Sequence, residues 1–225
     1  MKNLLLIILS IYALQSNAQK VNAKILSTTE INQIFDDGLK NYNNVAYPIY
    51  RVFEYKEDNR KCFLALTESV DEVKGKDTLS KNIKAFIFKE VENDYSKELE
   101  ISDNIIPTLN EEKTIFFWTK YISFEKAGKA IVPIIVYGTK GMNNFMDGRI
   151  KIIIVYNNQK IVIRHQNAVL DGERVTQVEK AFYTLPATIQ NEVKKKITAM
   201  EKAGNATLAY GWETEMKKKK LHIQG

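Results

Sequence analysis

Two short stretches constrain this chain more than any other feature. Ile131-Val132-Pro133-Ile134-Ile135-Val136 and Ile152-Ile153-Ile154-Val155 are nearly unbroken apolar runs of strand length. A strand that is apolar on successive residues must be covered on both of its faces. The fold therefore needs a sheet buried near its middle, with Pro133 marking a strand start or a bulge because it cannot donate to a ladder. Around these runs the sequence alternates with period two. Strands are expected over 50–55 and 62–67, joined across Glu57-Asp58-Asn59-Arg60, then over 83–91, 97–102, 114–124, 131–139, 149–156 and 160–165. Asn157-Asn158 is a tight-turn signal for the last hairpin. That order is a meander, so the sheet is expected to be mainly antiparallel and the fold class α+β.

Helical spacing brackets the strands. Ser27-Thr28-Thr29-Glu30 reads as a capping box ahead of Ile31, Ile34 and Phe35, with Gly38 as the stop. After Asp171, the spacing of Val175, Val178 and Phe182 predicts a helix, and Thr184 is expected to cap the next one. Ile189, Val193, Ile197 and Met200 then share one face up to Gly204, which predicts a helix docked on the sheet. Leu208, Tyr210 and Trp212 alternate, as an edge strand does.

Residues 1–18 bear on the compartment. Lys2 gives a positive start, residues 4–14 (LLLIILSIYAL) are an eleven-residue apolar run, and Ser16-Asn17-Ala18 is a small-x-small cleavage site before Gln19. This predicts a signal peptide and a mature protein exported to the periplasm, cell surface or medium. Spanning a bilayer takes about 20 apolar residues, so no transmembrane segment is expected in the mature chain. The lone Cys62 stands far from the cleavage site, which excludes a lipid anchor there and any internal disulfide. With 44% apolar residues, no repeat and no low-complexity linker, the expectation is one domain over 19–215. Residues 216–225 read as a disordered basic tail.

The net charge is +6, and the lysines gather late, in Lys194-Lys195-Lys196 and Lys217-Lys218-Lys219-Lys220. Such clusters suit either a solvated helix face or contact with an anionic surface. Nucleic acid is not expected as a partner, because the chain is exported and its aromatics are not interleaved with the lysines.

The densest chemistry is "IRHQNAVLDGERVTQ", residues 163–177. His165 shares a strand face with Ile161 and Ile163, so a structural histidine is preferred over a general base. Asp171 and Glu173 fit as caps of a following helix, with Arg164 or Arg174 as ion-pair partners. Alternatively Arg164, His165, Asp171, Glu173 and Arg174 form a polar cradle for carboxylate, phosphate or sugar hydroxyls. The loop 142–148, with Asn143, Asn144 and Asp147, is a further candidate beside Trp118 or Tyr121, since sugar sites pair amides and carboxylates with aromatic faces. Tyr137-Gly138-Thr139-Lys140-Gly141 lacks the spacing of a phosphate loop and reads as a turn. Asn205-Ala206-Thr207 matches a glycosylation sequon. No cofactor is expected.

"YPIYRVFEY", "IKAFIFK", "FFWTKY", "PIIVYGTKGMN", "DGRIKIIIVY" and "IRHQNAVLDGERVTQVEKAFYTLP" together resemble a small family of exported Gram-negative envelope proteins described as surface polysaccharide biosynthesis proteins. The resemblance runs from Tyr47 to Pro186. It implies a role in making or displaying surface polysaccharide or lipopolysaccharide, through a glycan or an envelope protein partner, and it carries no catalytic residue. The family pattern includes an aspartate-rich, calcium-loop-like stretch before the Pro-Ile-Ile-Val strand. Here that stretch is "FEKAGKA", whose sole carboxylate is Glu125, so no metal is expected. Two other readings stand beside non-catalytic binding. One is a glycan-acting enzyme with Asp171 or Glu173 and His165 as acid–base groups, and the other is an inhibitor- or immunity-like protein-interaction module.

Overall fold

Every strand pairing among the described residues is antiparallel, and the strands form two large sheets with helices on the two outer faces. The structure, a computed structural model, describes residues 19–75, 77–92, 94–106, 112–141 and 147–225. The expected signal peptide and the candidates Asn143 and Asn144 lie outside the described residues.

Strand β1 (Gln19–Val21) belongs to the larger sheet and β2 (Lys24–Ile25) to the smaller. Ser27 then opens α1 (Thr28–Ile34): its hydroxyl accepts from the Glu30 N–H, and the Glu30 carboxylate accepts from the Ser27 N–H, which completes the expected capping box. Gly38 does not stop the helical segment. Asp36 starts a second helix, α2 (Asp37–Tyr42), by accepting from the Leu39 N–H at 2.8 Å, and Gly38 sits inside it.

The smaller sheet continues with β3 (Ile49–Glu57) and β4 (Arg60–Glu68). A two-stranded ribbon of β5 (Glu72–Lys74) and β6 (Asp77–Leu79) follows, then β7 (Asn82–Val91) and β8 (Asp94–Asn104), giving the order β2-β3-β4-β7-β8. The larger sheet takes β9 (Thr114–Phe117), β10 (Ser123–Ala127), β11 (Ala130–Lys140), β12 (Arg149–Tyr156), β13 (Gln159–Gln166) and β14 (Val175–Val178). Helices α3 (Ala187–Lys202) and α4 (Trp212–Lys217) precede the edge strand β15 (His222–Gln224). The order is β1-β10-β11-β12-β13-β14-β15, with β9 also on β11. Two hairpin turns, Asp58-Asn59 and Asn157-Asn158, have positive φ at both central residues, as the two-residue turns that follow strand twist require.

Several expectations are corrected. The strand expected over 114–124 is broken into β9 and β10 by a 3-10 turn at Thr119–Tyr121, although both pieces pair with β11. The helix expected from Val175 is β14, where Thr176 and Val178 are buried; two valines three apart fit either period over so few residues. Thr184 caps nothing, because its hydroxyl donates to the Ala181 carbonyl and Pro186 is the residue that precedes α3. Tyr137 to Lys140 extends β11 and is no turn. The edge strand expected near Leu208 is supplied instead by β15. The basic segment 216–225, expected to be disordered, forms the end of α4 and β15, held by pairing with β14 and by burial of Met216 and Ile223.

Three apolar layers hold this α+β fold together. Phe53, Leu64 and Ile87 of the smaller sheet meet Ile135, Ile153 and Val162 of the larger. Outside the larger sheet, Ile152 and Ile163 pack with Ile189, Val193, Ile197 and Met200 of α3, the face that the spacing predicted. Outside the smaller sheet, Phe63, Phe86 and Phe88 pack with Ile31 and Phe35. The apolar runs of β11 and β12 are thus covered from both sides. Among the described residues, no helix is long and apolar enough to cross a membrane.

Candidate functional site

His165 projects from β13 toward the α3 side and is 6% exposed. Its Nε2 lies 2.9 Å from Asn167 Oδ1 and 3.1 Å from the Thr207 carbonyl, while Nδ1 lies 2.8 Å from the Thr176 hydroxyl. The Thr207 N–H donates to the same Asn167 Oδ1 at 2.8 Å, which fixes that oxygen as an acceptor. Two acceptors facing Nε2 assign the ring proton there, and Thr176 donates to Nδ1. Burial pushes the imidazole pKa down to about 4, outweighing the bonds to Asn167 and Thr207 that favour the charged form. The ring is a neutral, fully bonded strut.

Arg174 and Asp171 secure the same corner. Arg174 donates to the carbonyls of Ala168, Val169 and Leu208 and to Asp171 Oδ1, all at 3.0–3.2 Å. Asp171 Oδ1 also accepts from the Tyr210 N–H at 3.3 Å. Asp171 and Glu173 do not cap a helix, because the 3-10 turn Asp171–Glu173 leads into β14. With His165, this cluster holds segment 205–210, the link between α3 and α4, onto the sheet. Glu173 is exposed on the turn.

The remaining candidates do not join them. Trp118 is buried on the α3 side, with its ring centroid 6.0 Å from that of Tyr121. A Cβ at Gly138 would lie 2.6 Å from the Arg149 carbonyl and 2.8 Å from the indole, so the bare glycine is what seats the ring. Gly138→Ala is expected to cost about 1–3 kcal/mol by overpacking and to change tryptophan fluorescence, which thermal unfolding followed at both near- and far-ultraviolet wavelengths will show. Asp147 meets β13 through its backbone, its carbonyl accepting from Gln166 Nε2 at 2.9 Å. Glu125 points inward and accepts from the Ser123 hydroxyl at 2.6 Å. Among the described residues, no three His, Cys, Asp or Glu side chains are placed to hold a metal ion. Asn205, in the sequon, accepts from Lys120 and Tyr121.

Arg164 lies on the opposite face of β13 and belongs to a different arrangement. Register places Tyr137, Lys151, Arg164, Gln177 and His222 opposite one another across five successive strands, β11 to β15. A parallel row holds Arg149, Gln166, Val175 and Gln224. Residues in opposed pairs share a face, and here it is the face of Ile153 and Val162, which turns toward the smaller sheet. Tyr137 is buried, but Gln177, His222 and Gln224 are exposed, so both rows emerge from beneath the smaller sheet as a polar platform. A concavity of about 230 Å³ opens over Arg149, Lys151, Arg164, Gln166 and Gln177.

Lys151 and Arg164 stand directly opposite, an arrangement of like charges that is destabilising by itself. Carboxylates from elsewhere offset it: Lys151 meets Asp103 at 2.6 Å, Arg164 meets Glu179 at 3.0 Å, and Arg149 meets the buried Glu112. The platform is thus close to neutral. It offers guanidinium, ammonium and amide donors next to amide and carboxylate acceptors.

Sequence reading found Arg164 but missed its neighbours. Alternation in "RIKIII" already puts Arg149 and Lys151 on one face, whereas Gln177 was concealed by the helical reading of 175–182. A larger cleft, about 430 Å³, opens between the sheets at the hairpin ends. Two of its carboxylates bridge the sheets: Glu57, paired with Lys89, also accepts from the Ile131 N–H, and Glu98 accepts from Asn158. Cys62 in its lining is raised to about 11 by burial, which removes thiolate chemistry near neutral pH. Comparison of the chain with protein-family models, with curated proteins and with solved structures finds no match.

Proposed function

We propose that this is an exported envelope protein that supports surface polysaccharide or lipopolysaccharide biosynthesis by holding glycan on the β12–β15 platform, without catalysis. The observation that carries the reading is the polar row Lys151, Arg164, Gln177 and His222, which runs from part-buried at Lys151 to exposed at Gln177 and His222. The strands that carry it lie about 4.8 Å apart, a spacing comparable with the length of one pyranose unit. Paired charges and amides suit a hydroxyl-rich chain. The N-terminal export pattern and the motif resemblance point to the same compartment, and the lysines at 217–220 supply a second contact, with an anionic surface.

The enzymatic alternative is poorly supported. Asp171 is bonded to Arg174 and a backbone amide, and His165 is buried and neutral, facing α3 and not the platform. A protein-docking reading draws on Val169, Leu170 and Tyr210, exposed around Asp171. It predicts a partner that is insensitive to the platform.

Binding of purified bacterial surface glycans, measured by calorimetry, tests the proposal. Arg164→Ala with Gln177→Ala is expected to weaken binding by about 10-fold or more. Stability should change little, because the Arg164–Glu179 pair is half exposed. Absence of glycan binding by the unaltered protein, or surface polysaccharide unchanged in amount and length after gene deletion, would overturn it.

A further inference from the structure

The four lysines from Lys217 to Lys220 and the following Leu221 are consecutive exposed residues that end α4 and form the ordered turn leading to β15. The turn is fixed on both sides. The Lys219 N–H donates to the Met216 carbonyl and the Lys220 N–H to the Glu215 carbonyl, which ends α4 in a Schellman-type closure. Tyr183 donates its hydroxyl proton to the Lys220 carbonyl at 2.5 Å, and the Val178 N–H donates to the Leu221 carbonyl at 2.8 Å.

This closure puts Lys219 at φ 58°, in the left-handed region. Glycine is the usual occupant of that position, and a residue with a Cβ pays for it with roughly fivefold in the folding equilibrium. At other left-handed positions among the described residues the chain uses Gly, Asn or Asp, apart from Glu92. A lysine here therefore opposes the local conformational preference and adds to the self-repulsion of its neighbours. Lys218 pairs with Glu215 at 2.8 Å, whereas the other three form no ion pair among the described residues. Helix-dipole compensation accounts for a cation at Lys217 or Lys218, near the last carbonyls of α4, but gives no reason to prefer lysine over glycine at 219.

We infer that this turn docks the protein onto an anionic phospholipid bilayer. The segment holds four exposed lysines within four residues, with Leu221, 48% exposed, next to them as an apolar contact, a combination that suits a charged surface with an apolar interior. Each lysine near such a surface contributes roughly fivefold to partitioning, and a flanking apolar side chain adds to the electrostatic attraction. The inference deepens the surface contact in the function proposed above and rests on that part of it. It is separate from the platform, which Arg164→Ala probes.

Co-sedimentation of the purified protein with vesicles of phosphatidylglycerol mixed into phosphatidylcholine tests it at low ionic strength. Binding is expected to need phosphatidylglycerol, to fall with salt, and to drop by roughly 100-fold in the Lys217→Gln, Lys219→Gln, Lys220→Gln variant. Lys219→Gly makes the sharper test: it should fold more stably and bind vesicles about fivefold more weakly. A stabilised Lys219→Gly variant with undiminished vesicle binding overturns the inference, as does equal binding to pure phosphatidylcholine. If soluble dextran sulfate binds through these lysines while vesicles do not, the partner is a polyanion and the bilayer is excluded. Glycan binding that survives in the lysine variant would show the two surfaces to be independent.

Discussion

Acidification from pH 6.5 to about 4 is expected to destabilise the protein through His165 alone by roughly 3 kcal/mol, at 1.36 kcal/mol per pKa unit. Unfolded, the imidazole takes up a proton near its ordinary pKa of 6.5; folded, burial holds it unprotonated to about 4. Within that window the unfolded chain binds more protons, so acid draws the equilibrium toward unfolding. Above pH 6.5 neither state is protonated and the effect is absent; below about 4 both are, and the loss is complete. Charging the ring would make Nδ1 a donor, so the Thr176 hydroxyl would have to turn round to accept, and the charge would stay buried among Thr176, Asn167 and the Thr207 carbonyl. His165→Gln should lower stability at neutral pH by about 2 kcal/mol through lost buried hydrogen bonds, yet remove this part of the pH dependence. Urea titrations of both proteins at several pH values between 4 and 7 decide the matter. Parallel stability curves would mean that His165 does not titrate differently in the two states.

The same residue shows how far sequence can carry such a reading. Alternation in "KIVIRHQ" puts His165 with Ile161 and Ile163 on a core face, and that is where it lies. Its partners were not legible. Thr207 is 42 residues away, beyond β14 and α3, and no periodicity connects such positions. Long segments with a distinctive pattern are legible: α3 carries four apolar residues on one face, and β11 and β12 carry nearly unbroken apolar runs. Short segments failed. Val175 to Val178 fits both periods, and only pairing with β13 and β15 decides between them. The lysines at 217–220 look like a solvated tail by composition, and what orders them is pairing and burial of the less conspicuous Met216 and Ile223. The platform needed one further fact that composition cannot give, that the larger sheet extends beyond the smaller and leaves an inner face open.

Glu112→Ala is expected to be the most damaging single substitution considered, at about 3–5 kcal/mol, the range for stranding one partner of a buried ion pair. The Glu112 side chain is fully buried and its carboxylate accepts from four groups: Arg149 Nε and Nη2, the Thr139 hydroxyl and the Ile106 N–H. These come from β11, β12 and the segment after β8, so one carboxylate joins both sheets at the end where the platform begins. Arg149 is 15% exposed at its side chain, and without Glu112 it retains a bond to the Asn104 carbonyl but loses the carboxylate it is bonded to, with Asp103 left as the nearby negative charge. Glu112→Gln keeps the shape but turns an amide N–H toward donors, so it should recover only part of the loss. Replacing both partners, as Glu112→Leu with Arg149→Met, leaves no charge buried and should be milder than Glu112→Ala, since well-packed apolar pairs often match buried ion pairs. Urea midpoints at constant m-value measure the series. A loss below about 1 kcal/mol for Glu112→Ala would place the pair among surface salt bridges. A double variant as damaged as the single one would mean that the packing of these side chains, and not their charge, holds the two sheets together there. Without Glu112 the Arg149 guanidinium ceases to be a fixed donor, so the row of the platform that holds Arg149 should lose glycan affinity along with stability, whereas Arg164→Ala loses affinity alone.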